Sequence, residues 1–201
     1  MSIAMTHIDL ICGVDEAGRG PWAGPVTAAA VILDPAQPIH GLTDSKKISE
    51  KKRFALEPEI KDKAAYWCVA HAEPDEIDQL NIREATFLAM TRAIAGLGIT
   101  PTQILVDGNA LPQGLPAPAE AIIKGDLKEP AISAASILAK TERDRLMQAY
   151  CAEFPAYGFG GHKGYGTAAH AEALKRYGPC PIHRTSFEPV RRAMLSETLT
   201  N

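Results

Sequence analysis

The chain contains 201 residues, of which 46% are hydrophobic and 22% charged, a composition that is typical of one folded globular domain and unlike that of a disordered chain. Its net charge of −3 argues against a protein that coats nucleic acid through overall charge, but it leaves local binding open. The four cysteines lie far apart without zinc-type spacing, and no apolar run approaches the roughly 20 residues of a membrane helix, so we expect a cytoplasmic protein with reduced thiols.

The first part of the chain predicts three strands and a helix. Residues 8–15 and 24–33 are apolar runs separated by glycine and proline, which indicates a hairpin. Residues 67–73 have the β-branched and aromatic content of a third strand. Ser45 can cap a following helix, which Pro58 is expected to end or bend.

The rest of the chain alternates between strands and helices. Short apolar runs that end in acids or turns predict strands at residues 104–109 and 119–126. Helical spacing of apolar residues predicts helices at residues 74–98, 132–150 and 167–178. The order predicts an α/β fold with a mixed five-stranded sheet flanked by helices, in one domain over residues 1–201 whose last part, about 167–201, is a C-terminal helical appendage.

Four acidic residues follow predicted strands. Asp15 and Glu16 come after the first strand, and Asp107 and Asp126 end two later apolar runs. Because functional groups gather at the carboxyl ends of parallel strands, we expect these four carboxylates to converge. They would repel one another unless a cation lay among them, and an all-oxygen set suits Mg²⁺. Two such ions about 4 Å apart can activate water and stabilise the leaving oxygen in phosphodiester hydrolysis.

Each acid also has a simpler interpretation. Neighbouring residues of a regular strand face opposite sides, so Asp15 and Glu16 share a site only if the strand bends, and the glycines of Gly18-Arg19-Gly20 make a bend there plausible. Taken singly, Asp15 and Glu16 fit a turn, Asp107 fits an Asp-Gly turn, and Asp126 fits a cap. Their joint placement at three strand ends favours the shared metal site.

An ordered set of motifs covers nearly the whole chain: GVDEAGRGPWAGPV, DSKKIS, LVDGN, IIKGD, ISAASILAKTERD, HKGYGT and GPCPIHRTSF. With these motifs the sequence resembles bacterial ribonuclease HII, the type 2 ribonuclease H family. The resemblance implies an RNase H-like fold and endonucleolytic cleavage of RNA in RNA/DNA hybrids and of single ribonucleotides in duplex DNA. The nick is implied to lie 5′ to the ribonucleotide and to leave a 3′-hydroxyl and a 5′-phosphate. The resemblance also implies Mg²⁺ or Mn²⁺ as cofactor, with two ions when substrate is bound, and we expect a monomer that binds nucleic acid.

The resemblance also implies roles for individual residues. Asp15, Glu16 and Asp107 look like metal ligands, and Asp126 looks like the fourth acid of the set. The implied substrate-binding residues are Gly18, Arg19, Gly20, Lys46, Lys47, Lys163, Tyr165 and Arg184. The backbone of the Gly-Arg-Gly segment is implied to approach the ribose, since peptide groups without a nearby Cβ can come close enough to bind a 2′-hydroxyl. Tyr165 is implied to pack on a neighbouring sugar, and the basic residues suit phosphate contacts.

Other polar residues receive structural interpretations. Asp144 lies between Arg143 and Arg145 on a predicted helix, which favours an ion-pair partner over a metal ligand. His170 follows the HKGYGT motif and is expected to lie near the substrate, whereas His183 is interpreted as a surface residue. Trp22 and Trp67 are interpreted as packing residues.

Three alternatives remain open at this point. A ribonuclease HIII would share the chemistry, but the first motif begins about a dozen residues into the chain, without the long N-terminal extension of that family. A nucleotide-binding module would use GRGPWAG as a phosphate loop, yet the segment lacks the GK[ST] ending of a P-loop. A catalytically silent nucleic-acid binder is disfavoured by the intact acid set.

Overall fold

The structure of the protein, a computed structural model, describes residues 9–198 and the side chains of residues 9–195. The ends of the predicted domain, residues 1–8 and 199–201, lie outside the described part, as does the first residue of the predicted strand 8–15. None of the helices in residues 9–198 has the length and hydropathy needed to cross a membrane.

Five strands form one mixed sheet: β1 (Ile11–Ala17), β2 (Val26–Leu33), β3 (Ala64–Ala72), β4 (Gln103–Asp107) and β5 (Ala119–Ile122). Their spatial order is β3-β2-β1-β4-β5. β1, β2 and β3 pair antiparallel, while β1, β4 and β5 pair parallel. The predicted mixed sheet and its first hairpin are therefore confirmed.

The helices of residues 9–198 are α1 (Glu50–Lys63), α2 (Pro74–Leu80), α3 (Ile82–Ala95), α4 (Pro130–Glu153), α5 (Phe159–His162), α6 (Ala168–Tyr177) and α7 (Glu188–Thr198). Short 3₁₀ helices occupy Gly125–Leu127 and Pro155–Tyr157. The elements α6 and α7 supply the predicted C-terminal helices, and their separation from the sheet as an appendage stays a prediction.

The first predicted helix begins later and runs further than its sequence indicates. Ser49 caps α1 by accepting the N–H of Lys52, whereas Ser45 is buried and accepts a hydrogen bond from Ser136 at 2.9 Å. The expectation that Pro58 ends or bends the segment is wrong about the end, because α1 continues to Lys63. Burial of apolar residues on both sides of the proline explains why the helix tolerates the loss of one N–H donor.

The segment predicted as one helix over residues 74–98 is two helices. Asn81 separates them with a φ of 71°, a left-handed conformation that asparagine adopts more readily than most residues. Its side-chain oxygen accepts the N–H groups of Arg83 and Glu84, so the same residue ends α2 and caps α3. Apolar periodicity alone does not predict this break, because the apolar spacing continues from α2 into α3.

The sheet separates two hydrophobic cores. One face packs on α3 through residues such as Val14 and Ala28, and the other packs on α1 and α4 through residues such as Ala29 and Ile137. Helix α4 approaches β1 at Gly13 so closely that a Cβ there would lie 2.2 Å from the carbonyl carbon of Ala131. This contact fixes the start of α4 against the strand that carries Asp15 and Glu16.

Candidate active site

Asp15 and Glu16 lie inside β1, not after it. They pair with Ala29 and Ala28 of β2 in an uninterrupted register that continues to Ala17, so the bend expected between the two acids is absent from this pairing. Directly paired residues of antiparallel strands share a face. Asp15 therefore lies on the α4 side with Ala29, and Glu16 lies on the α3 side with Ala28.

The parallel pairing of β1 with β4 explains how acids on two faces can still meet. It ends at Val14 and Val106, so Asp15 and Asp107 are the next residues at the point where the two strands separate. Asp107 closes β4, and its Oδ1 accepts the N–H of Gly125 at 2.7 Å. Beyond the last paired residues, Asp15 and Glu16 are both close enough to Asp107 for its charge to raise their pKa values.

Asp126 lies four residues beyond β5, in the 3₁₀ helix Gly125–Leu127, and not at a strand end as the sequence suggests. Its neighbour Gly125 makes the hydrogen bond to Asp107 described above, which brings this short helix beside the end of β4. The carbonyl of Asp126 accepts the hydroxyl of Ser133 at 2.7 Å, which anchors it to α4.

Burial and mutual repulsion raise the pKa of three of these acids. The pKa of Asp15 lies well above its usual value because the carboxyl is buried and because Glu16 and Asp107 repel its charge. Burial also raises the pKa of Glu16, with repulsion from Asp107 opposed by Arg19 and Lys46. Burial, Asp44 and Asp107 raise the pKa of Asp126. The charge of Asp107 thus repels acids of β1 and of the 3₁₀ helix Gly125–Leu127.

The donor set fits a hard divalent cation. Its members are carboxylates from β1, β4 and the 3₁₀ helix Gly125–Leu127, and an ion with several oxygen ligands would relieve the repulsion that raises their pKa values. Within residues 9–198, no three acidic, histidine or cysteine side chains already surround one point as they would around a metal. The acids are therefore neighbours that a bound cation would draw together.

Two cavities meet at Glu16 and Arg19. The first has a volume of about 170 Å³ and contains Asp107, Arg83 and Asn109. The second, a cleft of about 420 Å³, is lined by the following residues: Glu16, Ala17, Gly18, Arg19, Gly20, Ser45, Lys46, Lys140, Arg143 and Tyr165. We call residues 18–25 the glycine-rich loop. Glu16, Asp107 and this loop therefore border two cavities that share Glu16 and Arg19.

Tyr165 faces the glycine-rich loop from a second loop. It is 44% exposed, and its ring would lie 3.5 Å from a Cβ built at Gly20. The two loops are joined by a hydrogen bond from the N–H of Trp22 to the carbonyl of Gly164 at 2.8 Å. Trp22 also packs 5.2 Å from the ring of His170, consistent with its predicted packing role.

The predicted basic residues have different surroundings. Lys46 and Lys47 are exposed, and Lys46 lines the cleft. Lys163 donates to the carbonyl of Gly160 at 2.6 Å and lies 3.9 Å from Glu50. The prediction that Arg184 contacts phosphate is contradicted, because its side chain is completely buried and its N–H groups bind main-chain carbonyls.

The structure also shows residues that the sequence did not single out. Asp44 lies close enough to Asp126 to raise its pKa, a placement that its position in the DSKKIS motif could have suggested. Asp144 is a structural ion-pair partner as predicted, but its partners are Lys140 at 2.6 Å and Arg53 at 3.2 Å. Arg53 in turn donates to the carbonyl of Ser45, so Asp144 supports the segment that carries Lys46.

His183 is buried and not on the surface, which corrects the sequence interpretation. Its Nδ1 accepts the N–H of Cys180 at 2.9 Å, so its Nε2 carries the proton and donates to Nε2 of His170 at 3.0 Å. His170 then donates from Nδ1 to the carbonyl of Tyr165 at 3.0 Å. This chain of hydrogen bonds uses two neutral imidazoles to hold the loop that presents Tyr165.

We expect His183 to make the fold less stable in acid. Burial, followed by repulsion from His170, lowers the pKa of His183 from 6.5 to about 4. Between these values the unfolded chain binds a proton that the folded chain does not, so stability rises with pH in this window. At about 1.4 kcal/mol per pKa unit, the contribution lost on acidification is roughly 3 kcal/mol. Urea unfolding at pH values from 4 to 7 measures it.

The test compares variants, because the acids with raised pKa values make the protein less stable as the pH rises, which opposes the effect of His183. In His183→Gln the gain in unfolding free energy from pH 4 to 7 should be smaller than in the unsubstituted protein. The matched control is His40→Gln, which removes an exposed histidine and should leave the pH dependence unchanged. Equal pH dependence in His183→Gln and the unsubstituted protein would contradict the expectation.

Comparisons with known proteins place the chain in a family. Residues 12–190 match the sequence profile described as Ribonuclease HII. A ribonuclease HII of Hyphomonas neptunium is 67% identical, with 93% of this chain and 97% of that protein covered. The crystal structure of the ribonuclease H2 from Pyrococcus horikoshii has a TM-score of 0.79 at 29% identity, covering 95% and 99% of the two chains.

A more distant structure shares the fold alone. Bst-RNase HIII in complex with Mn²⁺ has a TM-score of 0.72 at 16% identity, covering 92% of this chain and 69% of the other. The RNase H-like fold predicted from the sequence is confirmed by these structures. The profile match and the relative that is 67% identical show that the chain belongs to the ribonuclease HII family and is a ribonuclease H hydrolase.

Proposed function

We propose that this protein nicks duplex DNA at single embedded ribonucleotides, on the 5′ side, and also cleaves the RNA of RNA/DNA hybrids. The observation that best supports the proposal is that Glu16 and Arg19 border both the cavity that contains Asp107 and the cleft formed by Gly18, Gly20 and Tyr165. These two cavities thus combine acids suited to phosphodiester hydrolysis with exposed backbone suited to reading a sugar.

Asp15, Glu16, Asp107 and Asp126 are proposed to hold Mg²⁺ or Mn²⁺, with two ions when substrate is present. Bound divalent ions supply an activated water and charge stabilisation at the leaving oxygen. The structure of Bst-RNase HIII with Mn²⁺ supports the choice of metal at the level of the fold. The chain's own contribution is to keep four carboxylates close to one another despite the repulsion and burial that raise the pKa of Asp15.

The glycine-rich loop and Tyr165 are proposed to recognise the ribonucleotide. The N–H groups of Arg19 and Gly20 are suited to hydrogen-bond a 2′-hydroxyl, the group that distinguishes RNA from DNA. Tyr165 can pack on the sugar of the next nucleotide, since its ring is 44% exposed and stands opposite Gly20. The exposed Lys46 and Lys47 and the partly exposed Lys163 are proposed to contact phosphates.

The proposal is tested with three labelled duplexes of one sequence: all DNA, DNA with one ribonucleotide, and an RNA/DNA hybrid. With Mg²⁺ or Mn²⁺ we expect the duplex with one ribonucleotide to be cut once, on the 5′ side of the ribonucleotide, leaving a 3′-hydroxyl. The all-DNA duplex should remain intact. EDTA should abolish cleavage. Cleavage of the hybrid without cleavage of the single-ribonucleotide duplex would favour ribonuclease HIII-like specificity and overturn the proposal.

Three expectations about the protein in the cell remain predictions. They are a cytoplasmic location, a monomeric state and a C-terminal helical appendage from about residue 167 within a single domain. Analytical sedimentation of the protein, with and without duplex, measures the oligomeric state.

A further inference from the structure

Two buried arginines hold the glycine-rich loop from inside the protein. The side chain of Arg184 donates to the carbonyls of Gly18 at 2.6 Å, Arg19 at 3.0 Å, Pro21 at 2.7 Å and Gly24 at 2.9 Å. Its own backbone N–H donates to the carbonyl of Trp22 at 2.8 Å. A single residue more than 150 positions away along the chain therefore binds five of the eight carbonyls of residues 18–25.

Arg143 binds two of the remaining carbonyls. It donates to Ala23 at 3.1 Å and to Pro25 at 3.0 Å, and its third contact, with Lys163, reaches the loop that presents Tyr165. Of the carbonyls in residues 18–25, the two arginines thus bind all but that of Gly20. Gly18 has a φ of 96°, and a Cβ there would lie 2.0 Å from the Arg143 side chain, so the loop can take this path only with glycine at that position.

The direction of the carbonyls fixes the direction of the amides. In a planar trans peptide the C=O and the following N–H point in opposite directions. Because the carbonyls of Gly18 and Arg19 point inward to Arg184, the N–H groups of Arg19 and Gly20 point away from it. The same segment lines the cleft with Tyr165, so these amides are turned to the side where a sugar would lie.

The chemistry of the contact suggests a geometric role for Arg184. Its side-chain hydrogen bonds go to neutral carbonyls, so the cost of burying a guanidinium is not offset by a carboxylate at hydrogen-bond distance. A guanidinium has five donors in a rigid plane, whereas a lysine ammonium has three donors on one atom. Of these two groups, only the planar guanidinium can donate to four carbonyls spread over seven residues.

We propose that Arg184 is a positioning residue for ribose recognition: it sets the direction of the Arg19 and Gly20 amides and thereby the selectivity for a 2′-hydroxyl. The inference rests on the proposed function of the glycine-rich loop. It assigns to Arg184 a role on the substrate through the backbone, without contact with the nucleic acid.

The test compares Arg184→Lys and Arg184→Met with the unsubstituted protein. Single-turnover cleavage is measured on duplexes that carry either one ribonucleotide or one 2′-fluoro-2′-deoxynucleotide, which lacks the hydroxyl. We expect the rate on the ribonucleotide to fall about tenfold or more in both variants, as for the loss of one well-placed hydrogen bond. The rate on the fluoro duplex should fall less than about threefold, so the ratio of the two rates narrows.

A matched control separates positioning from general loss of stability. Ile60→Ala opens a cavity in the core between the sheet and α1, away from the cleft, and should lower the melting temperature while leaving the ratio of the two rates unchanged. An unchanged ratio in both arginine variants overturns the proposal, as does recovery of the normal ratio in Arg184→Lys, which would show that charge alone suffices. If the unsubstituted protein does not prefer the ribonucleotide, the proposed function itself fails.

A measurement on the unsubstituted protein covers the case in which the variants do not fold. In NMR spectra recorded in EDTA, the amides of Arg19 and Gly20 should shift more on addition of the ribonucleotide duplex than of the all-DNA duplex. The side-chain Nε–H of Arg184 should stay protected from exchange with water and change little with either duplex. A large shift of that Nε–H together with unshifted Arg19 and Gly20 amides would overturn the proposal.

Discussion

Asp15→Asn is expected to abolish cleavage and at the same time to make the protein more stable. Removing one carboxylate from the set that we propose to bind divalent ions should lower the rate by about three orders of magnitude or more, equivalent to about 4 kcal/mol of transition-state stabilisation. Binding of the duplex should be retained, because the substitution removes a negative charge close to a polyanion. Cleavage is measured at saturating enzyme, and binding by fluorescence anisotropy in EDTA.

The gain in stability follows from the surroundings of Asp15. Burial and the charges of Glu16 and Asp107 raise its pKa, so keeping this carboxylate ionised costs folding free energy when no metal is bound. Replacing it by a neutral amide should add about 1 kcal/mol, or about 2–4 °C in melting temperature in EDTA. The control is Asp62→Asn, at an exposed position of α1, which should change neither property. Cleavage above a tenth of the normal rate in Asp15→Asn would contradict the assignment.

Gly13→Ala is expected to be the most destabilising single methyl addition in β1. The new Cβ would lie 2.2 Å from the carbonyl carbon of Ala131 and 2.3 Å from the N atom of Ile132. These are backbone atoms of the first turn of α4, so they cannot rotate away as a side chain can. Moving α4 off the strand should cost about 3 kcal/mol or more, which for a chain of this size lowers the melting temperature by about 6–12 °C.

Gly161→Ala is the matched control for this substitution. Gly161 lies in α5, and a Cβ there would meet nothing within 4 Å. Its change in unfolding free energy should stay within about 1 kcal/mol. Similar melting temperatures for the two variants, measured by differential scanning calorimetry, would show that α4 can withdraw from β1 without penalty.

The sequence predicted the elements well where the pattern depends on local chemistry. Alternating apolar runs identify the strands, and the mixed sheet follows from their order along the chain. The break at Asn81 was missed because apolar spacing continues across it, while the residue that caps α3 acts through one side-chain oxygen. Ser49 and Ser45 are equally good caps by residue type, and the contacts of Ser45 with Ser136 on α4 and with Arg53 depend on the folded chain.

Residue type and motif order select Asp15, Glu16, Asp107 and Asp126 as candidates, and their membership of a metal site stays a prediction. The geometry around them was less predictable. The expected bend between Asp15 and Glu16 was wrong because β2 keeps pairing with β1 to Ala17, which forces the two side chains onto opposite faces. Their meeting with Asp107 depends on where the parallel pairing with β4 stops, and that depends on three-dimensional register.

Arg184 was misassigned for a related reason. An arginine in a basic segment is compatible with both phosphate contact and burial, and its sequence neighbourhood does not distinguish the two. Burial is decided by the carbonyls of residues 18–25, which are brought to Arg184 only by the folded chain. The same holds for His183, whose partner is another buried histidine.

Because Asp15 and Glu16 lie on opposite faces of β1, the proposed metal site depends on how both helical layers pack against the sheet. Asp15 faces the layer of α4, and Glu16 faces the layer of α3. A shift of either layer can turn the side chain that it contacts and so change the spacing between the carboxylate oxygens, even if every hydrogen bond of the sheet survives. We therefore expect that core substitutions in either layer can change the rate of metal-dependent cleavage before they change the stability of the fold.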